Sequence, residues 1–245
     1  MKTKIAQWPA PKNITTLCTT RLGGYSQAPY DSNNMAFHVQ DNAEHVKKNR
    51  QQLVEHLHLP AEPVWLEQTH STVCVLAEKE QNRKADASVT RSARHPLAIL
   101  TADCLPITLC NKQGNEIAAV HAGWRGLFHG IIENTLNKMT SSPADLLAWI
   151  GPAISQEHYE IGEEVYSSFT NKYPQSIIAF KETGSKWLAN LPLIAELVLH
   201  SLGIRAVYQS NWCTYKLNND FYSYRRTAQT GRIATLIWFN DQPQD

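Results

Sequence analysis

The residues of this chain best suited to chemistry are a cysteine and a histidine seventeen positions apart, Cys104 and His121. Two apolar runs between them, Leu105–Cys110 and Ile117–His121, flank Lys112-Gln-Gly-Asn115. That composition predicts a β-hairpin. A turn centred between Lys112 and Gln113 makes opposed positions sum to 225, which sets Cys104 directly across from His121. Opposed side chains of an antiparallel pair share a face, with Cβ atoms about 5 Å apart. The inference depends on register. Pro106 cannot donate a ladder bond, and a slip of one residue would turn the two side chains to opposite faces.

A thiol against an imidazole has three readings. It is a buried cysteine packed by a hydrogen-bonded histidine, a nucleophilic dyad, or a metal site, because thiolate and imidazole both suit zinc. The flanks favour chemistry over packing. His121 runs into Ala122-Gly-Trp-Arg-Gly126 and then a predicted helix. Its glycines allow a tight strand-to-helix turn whose N–H groups would face an anion. Arg125 adds a planar donor fork.

Asp103 precedes Cys104, and Gln68 lies two before His70. Both are candidates for orientation or proton transfer, and Gln68 also for substrate binding. His70, closing Trp65-Leu-Glu-Gln-Thr-His70, would separate zinc from a dyad as a third ligand; by its local sequence it is a surface-turn histidine. The other eight histidines, His38 among them, read as solvated or packed residues. Arg21 stands beside Gly23-Gly24, and Arg225-Arg226 follow Phe221-Tyr-Ser-Tyr224. With Arg125, Arg21 and Arg225 are the candidates for holding an anionic group.

These residues need elements to position them. Helical spacing predicts a helix over residues 41–59, capped by Asp41 with Glu44 three later and stopped by Pro60. Further helices are predicted over Leu127–Met139, Trp187–Leu202 and Glu163–Phe169. Besides the hairpin, strands are predicted at Val64–Leu66, Thr72–Ala77, Leu97–Leu100, Leu146–Ile150, Ile204–Gln209 and Ile233–Phe239. Several lack polar alternation, so both of their faces are covered. Interleaved strands and helices predict an α/β fold with a mixed sheet.

The chain has 245 residues, 42% of them hydrophobic, and no compositional break. That predicts one domain over 1–245, with a polar tail at 240–245. A net charge of +1 argues against a nucleic-acid binder. No apolar run reaches the ~18 residues of a membrane helix, and the first residues lack a signal-peptide pattern. The five cysteines are odd in number, widely spaced and without C-x-x-C, which reads as reduced thiols in a cytoplasm.

Several stretches resemble the YfiH-like family, variously called laccase-domain proteins, purine nucleoside phosphorylases or peptidoglycan editing factors. They include Thr20-Arg-Leu-Gly-Gly-Tyr-Ser26, Trp65-Leu-Glu-Gln-Thr-His70, Ala85-Asp-Ala87, Thr101-Ala-Asp-Cys-Leu-Pro106, Ala119-Val-His-Ala-Gly-Trp-Arg-Gly126 and Ser223-Tyr-Arg-Arg226. Ala36 departs from the family, which usually has glycine there. The resemblance implies a single domain of mixed β-sheets sandwiched between helices, in α-β-β-α layers. It implies zinc on His70, Cys104 and His121, copper being the lesser alternative. Three such ligands leave one tetrahedral position open, as catalytic zinc sites do.

The implied activity is phosphorolysis of adenosine and inosine, with adenosine deamination and methylthioadenosine phosphorolysis alongside. Cys104, His121 and Asp103 would be the catalytic residues. The alternative is an amidase removing misincorporated L-serine from a UDP-muramyl precursor. Multicopper polyphenol oxidation is a minor one, since the chain has only His56-Leu-His58 as an H-x-H motif. Expected partners are the small-molecule substrates alone, and a monomer is expected.

Overall fold

In a computed structural model, which describes residues 1–240, the side chains of the strand Leu97–Thr101 divide by parity. Leu97 and Ile99 pack with Ile117, Ala119 and Ile237. Ala98 and Leu100 pack instead with Leu53, Leu236 and Trp238. A strand with two apolar faces must lie inside a layered structure, and the element order supplies the layers. The chain runs β1 (Thr3–Ile5), β2 (Ile14–Thr19), α1 (Ala43–Leu57), β3 (Cys74–Leu76), β4 (Ala87–Thr90), β5 (Leu97–Thr101), β6 (Leu105–Asn111), β7 (Ile117–Ala122), α2 (Trp124–His129) and α3 (Ile131–Lys138). It continues through β8 (Leu146–Ile150), β9 (Glu160–Ile161), α4 (Glu163–Lys172), β10 (Phe180–Thr183), β11 (Lys186–Ala189), α5 (Leu191–Ser201), β12 (Ala206–Gln209) and β13 (Ile233–Phe239).

Helix α1 covers a four-stranded antiparallel sheet of order β1-β2-β13-β5. The inner face of that sheet packs on a six-stranded sheet of order β12-β8-β6-β7-β4-β3. The six-stranded sheet is mixed, parallel at its two edges and antiparallel between them. Helices α2 to α5 cover its far face. The fold is therefore α/β, as the interleaved elements predict, with sheets between helices, as the family resemblance implies. A small antiparallel sheet, β10-β11-β9, stands apart from both.

Several boundaries differ from the sequence reading. Asn42, not Asp41, caps α1, its side chain accepting from the Glu44 N–H at 2.9 Å. Asp41 instead accepts from Ser26 and Asn34. The predicted helix 127–139 breaks at Gly130, whose φ of +101° ends α2 before α3 begins. Trp187 lies in β11, and α5 starts at Leu191 after the Asn190 cap. Val64 makes a single bridge to Leu97 in place of a strand. Ala36 adopts a φ of −107°, which requires no glycine.

The hairpin corrects the predicted register. Opposed positions sum to 227, so Pro106 faces His121 and Leu105 faces Ala122. The loop Lys112–Asn115 closes with Gly114 at φ +70°, its N–H donating to Asn111 O at 3.0 Å. The shift is two positions, and an even shift keeps every side chain on its face. Cys104 thus stays on the face of His121, one pair diagonal to it. The Asn240 N–H donates to Asn13 O at 2.9 Å, and the rest of the predicted polar tail lies outside the described residues. Among the described residues no helix is long and apolar enough to cross a membrane, and all five cysteines are free.

Candidate active site

Parity puts His121 on the β7 face that carries Ile117 and Ala119, between the two sheets. Cys104 enters the same space just before β6. His70 comes from the loop ahead of β3, at a φ of +60°. Its Nε2 lies 3.8 Å from Cys104 Sγ. The His70 and His121 rings meet edge to face, with centroids 4.7 Å apart. One ligand atom from each of the three residues falls within 4.8 Å of the others.

One carboxylate organises two of these three side chains. Asp86, fully buried, accepts from His121 Nδ1 at 2.7 Å. It also accepts from the backbone N–H groups of Thr69, His70 and Ser71 at 3.1, 3.0 and 2.6 Å, and from the Ser71 hydroxyl at 2.7 Å. Burial would raise the Asp86 carboxyl, but the bonds from His121 and Ser71 outweigh it and hold it at about 2. Burial would likewise raise the Cys104 thiol, yet the two histidines bring it down to about 6. Burial would lower His121, and Asp86 with Cys104 raise it to about 9. Without metal, each of the two favours the charged form of the other.

The donor set fits a metal ion. Tetrahedral zinc places a sulfur and a nitrogen ligand ~3.5 Å apart, close to the 3.8 Å seen here. With Nδ1 committed to Asp86, His121 keeps Nε2 for the metal, the usual carboxylate–histidine arrangement. Gly123 completes the cradle. A Cβ there would lie 2.7 Å from His70 Cδ2 and 3.3 Å from Cys104 Sγ, so any side chain would displace His70. The group borders a cavity of about 480 Å³, within the range of small-molecule sites. Tyr159, Tyr224, Arg225 and Arg232 also line it.

The sequence as a whole matches known proteins. A family model described as multi-copper polyphenol oxidoreductase laccase matches residues 15–240. A Haemophilus influenzae protein named purine nucleoside phosphorylase is 44% identical, covering 95% of this chain and 97% of its own. A Shigella flexneri protein named purine nucleoside phosphorylase YfiH is 42% identical, covering 96% and 97%. The chain belongs to the YfiH-like family. The crystal structure of the Neisseria meningitidis protein NMB0706 matches with a TM-score of 0.94 at 42% identity, covering 98% of this chain and 99% of that one.

The predicted site residues of this YfiH-like chain divide into two groups. His70, Cys104, His121, Asp103, Gln68 and Arg225 all line the cavity. Gln68, however, spends its amide on Leu100, donating to its O and accepting from its N–H, both at 2.8 Å. Asp103 spends its carboxylate on Thr214, Ser223 and the Arg225 N–H. Both therefore fasten the walls. Arg21 and Arg125 are not among the lining residues. Arg21 pairs with Asp31 at 3.3 Å, and Arg125 is exposed with its guanidinium over the Trp124 ring.

The sequence reading missed Asp86, His38, Arg232 and the two tyrosines. Asp86 had a signal, a lone carboxylate between Ala85 and Ala87. Arg232, in Thr230-Gly-Arg232, had none.

Proposed function

We propose that this chain is a zinc-dependent purine nucleoside phosphorylase. The observation that carries the reading is a three-ligand group with one tetrahedral position left for a non-protein ligand, opening onto a cavity walled by tyrosines and arginines. The relatives named purine nucleoside phosphorylase, at 42% and 44% identity over nearly the whole chain, support it. His70, Cys104 and His121 would hold the ion, which would supply Lewis acidity beside the reacting carbon.

This chain's own residues do the rest. Asp86 keeps His121 in one tautomer and fixes the loop that carries His70. Asp103 ties the segment before Cys104 to residues 214, 223 and 225, so cavity wall and ligand group move as one body. Tyr224, 57% exposed at the cavity mouth, offers a flat face to a purine ring. Phosphate held by arginine lies beside the ribose. The C1′–N9 bond breaks as an oxygen of hydrogen phosphate bonds C1′; the purine leaves with the electron pair and takes up the proton the phosphate carried, giving free base and ribose 1-phosphate. Adenosine deamination and methylthioadenosine phosphorolysis would use the same cavity.

Multicopper oxidation is disfavoured. It requires several copper centres, and the described residues hold a single group of three metal-ligating side chains. We also propose cytoplasmic location and a monomer, with small molecules as the only partners.

The deciding experiment incubates zinc-loaded protein with inosine and phosphate, and separately with the serine-bearing UDP-muramyl peptide. Hypoxanthine released in step with ribose 1-phosphate supports the phosphorylase. Serine release without base release would replace it with an amidase.

A further inference from the structure

We propose that Arg225 and Arg232 form a phosphoryl-anion subsite in the cavity that the metal group borders, gripping with the Nε–Nη2 edge of each guanidinium. The proposal deepens the phosphorylase reading and rests on it.

The two side chains spend their donors alike. Arg225 uses Nη1 on Glu160 O at 3.0 Å. Arg232 uses Nη1 on Thr230 O and Gly231 O, at 2.9 and 3.0 Å. Among the described residues, Nε and Nη2 of both have no partner, and neither residue pairs with a carboxylate. That leaves on each the planar N–H edge that matches two oxygens of a phosphoryl group. Nearby arginines are consumed. Arg21 spends Nε, Nη1 and Nη2 on Asp31 O, Asn218 O and Asp31 Oδ2. Arg226 is spent on the carbonyls of Thr214, Tyr215 and Phe221.

Both free edges are held in place. The Arg232 N–H donates to Asn34 Oδ1 at 2.9 Å, and its guanidinium lies 5.9 Å from the Tyr224 ring centre. The Arg225 N–H donates to Asp103 Oδ2 at 2.7 Å, and its guanidinium lies 5.3 Å from the Tyr159 ring centre. Each arginine thus has a tyrosine ring within cation–π range and its Nε–Nη2 edge unbonded. Asp103 is the only carboxylate among the described lining residues, and both its oxygens are already bonded. Among the described residues no carboxylate pairs with either guanidinium, and two unpaired cations in one lining select an anion. The shared chemistry is a phosphoryl group, either inorganic phosphate or the tail of a nucleotide.

The test is calorimetric binding of inorganic phosphate to zinc-loaded protein, beside steady-state kinetics with inosine. Arg232→Gln should weaken phosphate binding ~10- to ~100-fold and raise its KM similarly, while KM for inosine moves less than about twofold. Arg225→Gln should do the same. Arg232→Lys should recover part of the loss, because charge returns without the fork. Arg205→Ala removes one exposed charge ahead of β12 and should change nothing.

Zinc content and melting temperature are read on every variant; if Arg232→Gln fails to fold, Arg232→Lys carries the test with a smaller expected loss. Unchanged phosphate affinity in a folded, zinc-loaded Arg232 variant overturns the subsite. Arg232-dependent phosphate binding with no base released removes the phosphorylase reading and leaves the subsite standing. UDP displacing phosphate in an Arg232-dependent manner assigns the subsite to a nucleotide tail.

Discussion

At the turn end of the β6–β7 hairpin, Glu116 is 1% exposed. Its oxygens accept from the Thr140 and Ser141 N–H groups at 2.8 and 2.9 Å and from the Thr140 hydroxyl at 3.0 Å. Arg91 closes the cluster with an ion pair at 2.5 Å. At the opposite end, Asp86 is as deeply buried and as fully bonded. The difference lies in the donors. Those around Glu116 are backbone N–H groups, a hydroxyl and a guanidinium, none of them a ring with a second nitrogen to lend a metal. One donor to Asp86 is His121, whose second ring nitrogen faces Cys104, His70 and open volume. Burial and hydrogen bonding of a carboxylate therefore do not mark a site. The mark is a hydrogen-bond chain ending on atoms with a lone pair still free.

If that contrast is right, substitutions at the two ends should separate metal binding from stability. The largest effect is expected from Cys104→Ser, which should take zinc from about one per chain to near zero. His70→Ala should do likewise. Elemental analysis reads both, and full zinc in either would break the ligand assignment.

Asp86→Asn comes next, with zinc affinity lowered ~10- to ~100-fold in a chelator competition. An unchanged affinity would make Asp86 equivalent to Glu116.

Glu116→Gln should cost about 2 kcal/mol of unfolding free energy and leave zinc content untouched. Burial would raise the Glu116 carboxyl, but the Ser141 and Thr140 donors hold it below its ordinary value. A carboxyl lowered on folding stabilises above its unfolded pKa of ~4.3 and loses that contribution as pH falls through the folded value. The gap between wild type and Glu116→Gln in denaturant unfolding should therefore be full near neutral pH and shrink below about pH 4. A gap that persists in acid would remove the charge from the explanation.

The smallest effect is expected at the exposed Lys112–Asp145 pair beside the same turn. Lys112→Ala should shift stability by less than about 0.5 kcal/mol. A larger change in thermal melts would show that surface charge, not the buried cluster, secures that end.

Much of the frame was legible because strand faces follow from period two. Leu146–Ile150 and Ile233–Phe239 form strands with the bounds their apolar runs predict. Strands β2 and β4 went unread because threonine and serine interrupt them, Ile-Thr-Thr-Leu-Cys-Thr and Ala-Ser-Val-Thr. Tertiary burial overrides that polarity. The break at Gly130 went unread because an isolated glycine is tolerated inside a helical pattern.

By itself the sequence determined which side chains can ligate a metal, and that Cys104 and His121 share one face of a hairpin. Parity is local, and it survived a register error of two. Tertiary structure alone decided what surrounds them. Asp86 reaches His121 across 35 residues, and the Arg225 N–H reaches Asp103 across 122. Only folding showed which arginines remain free, because Arg21, Arg225, Arg226 and Arg232 are alike in sequence. Their difference is whether carbonyls and carboxylates from distant loops have already taken their donors.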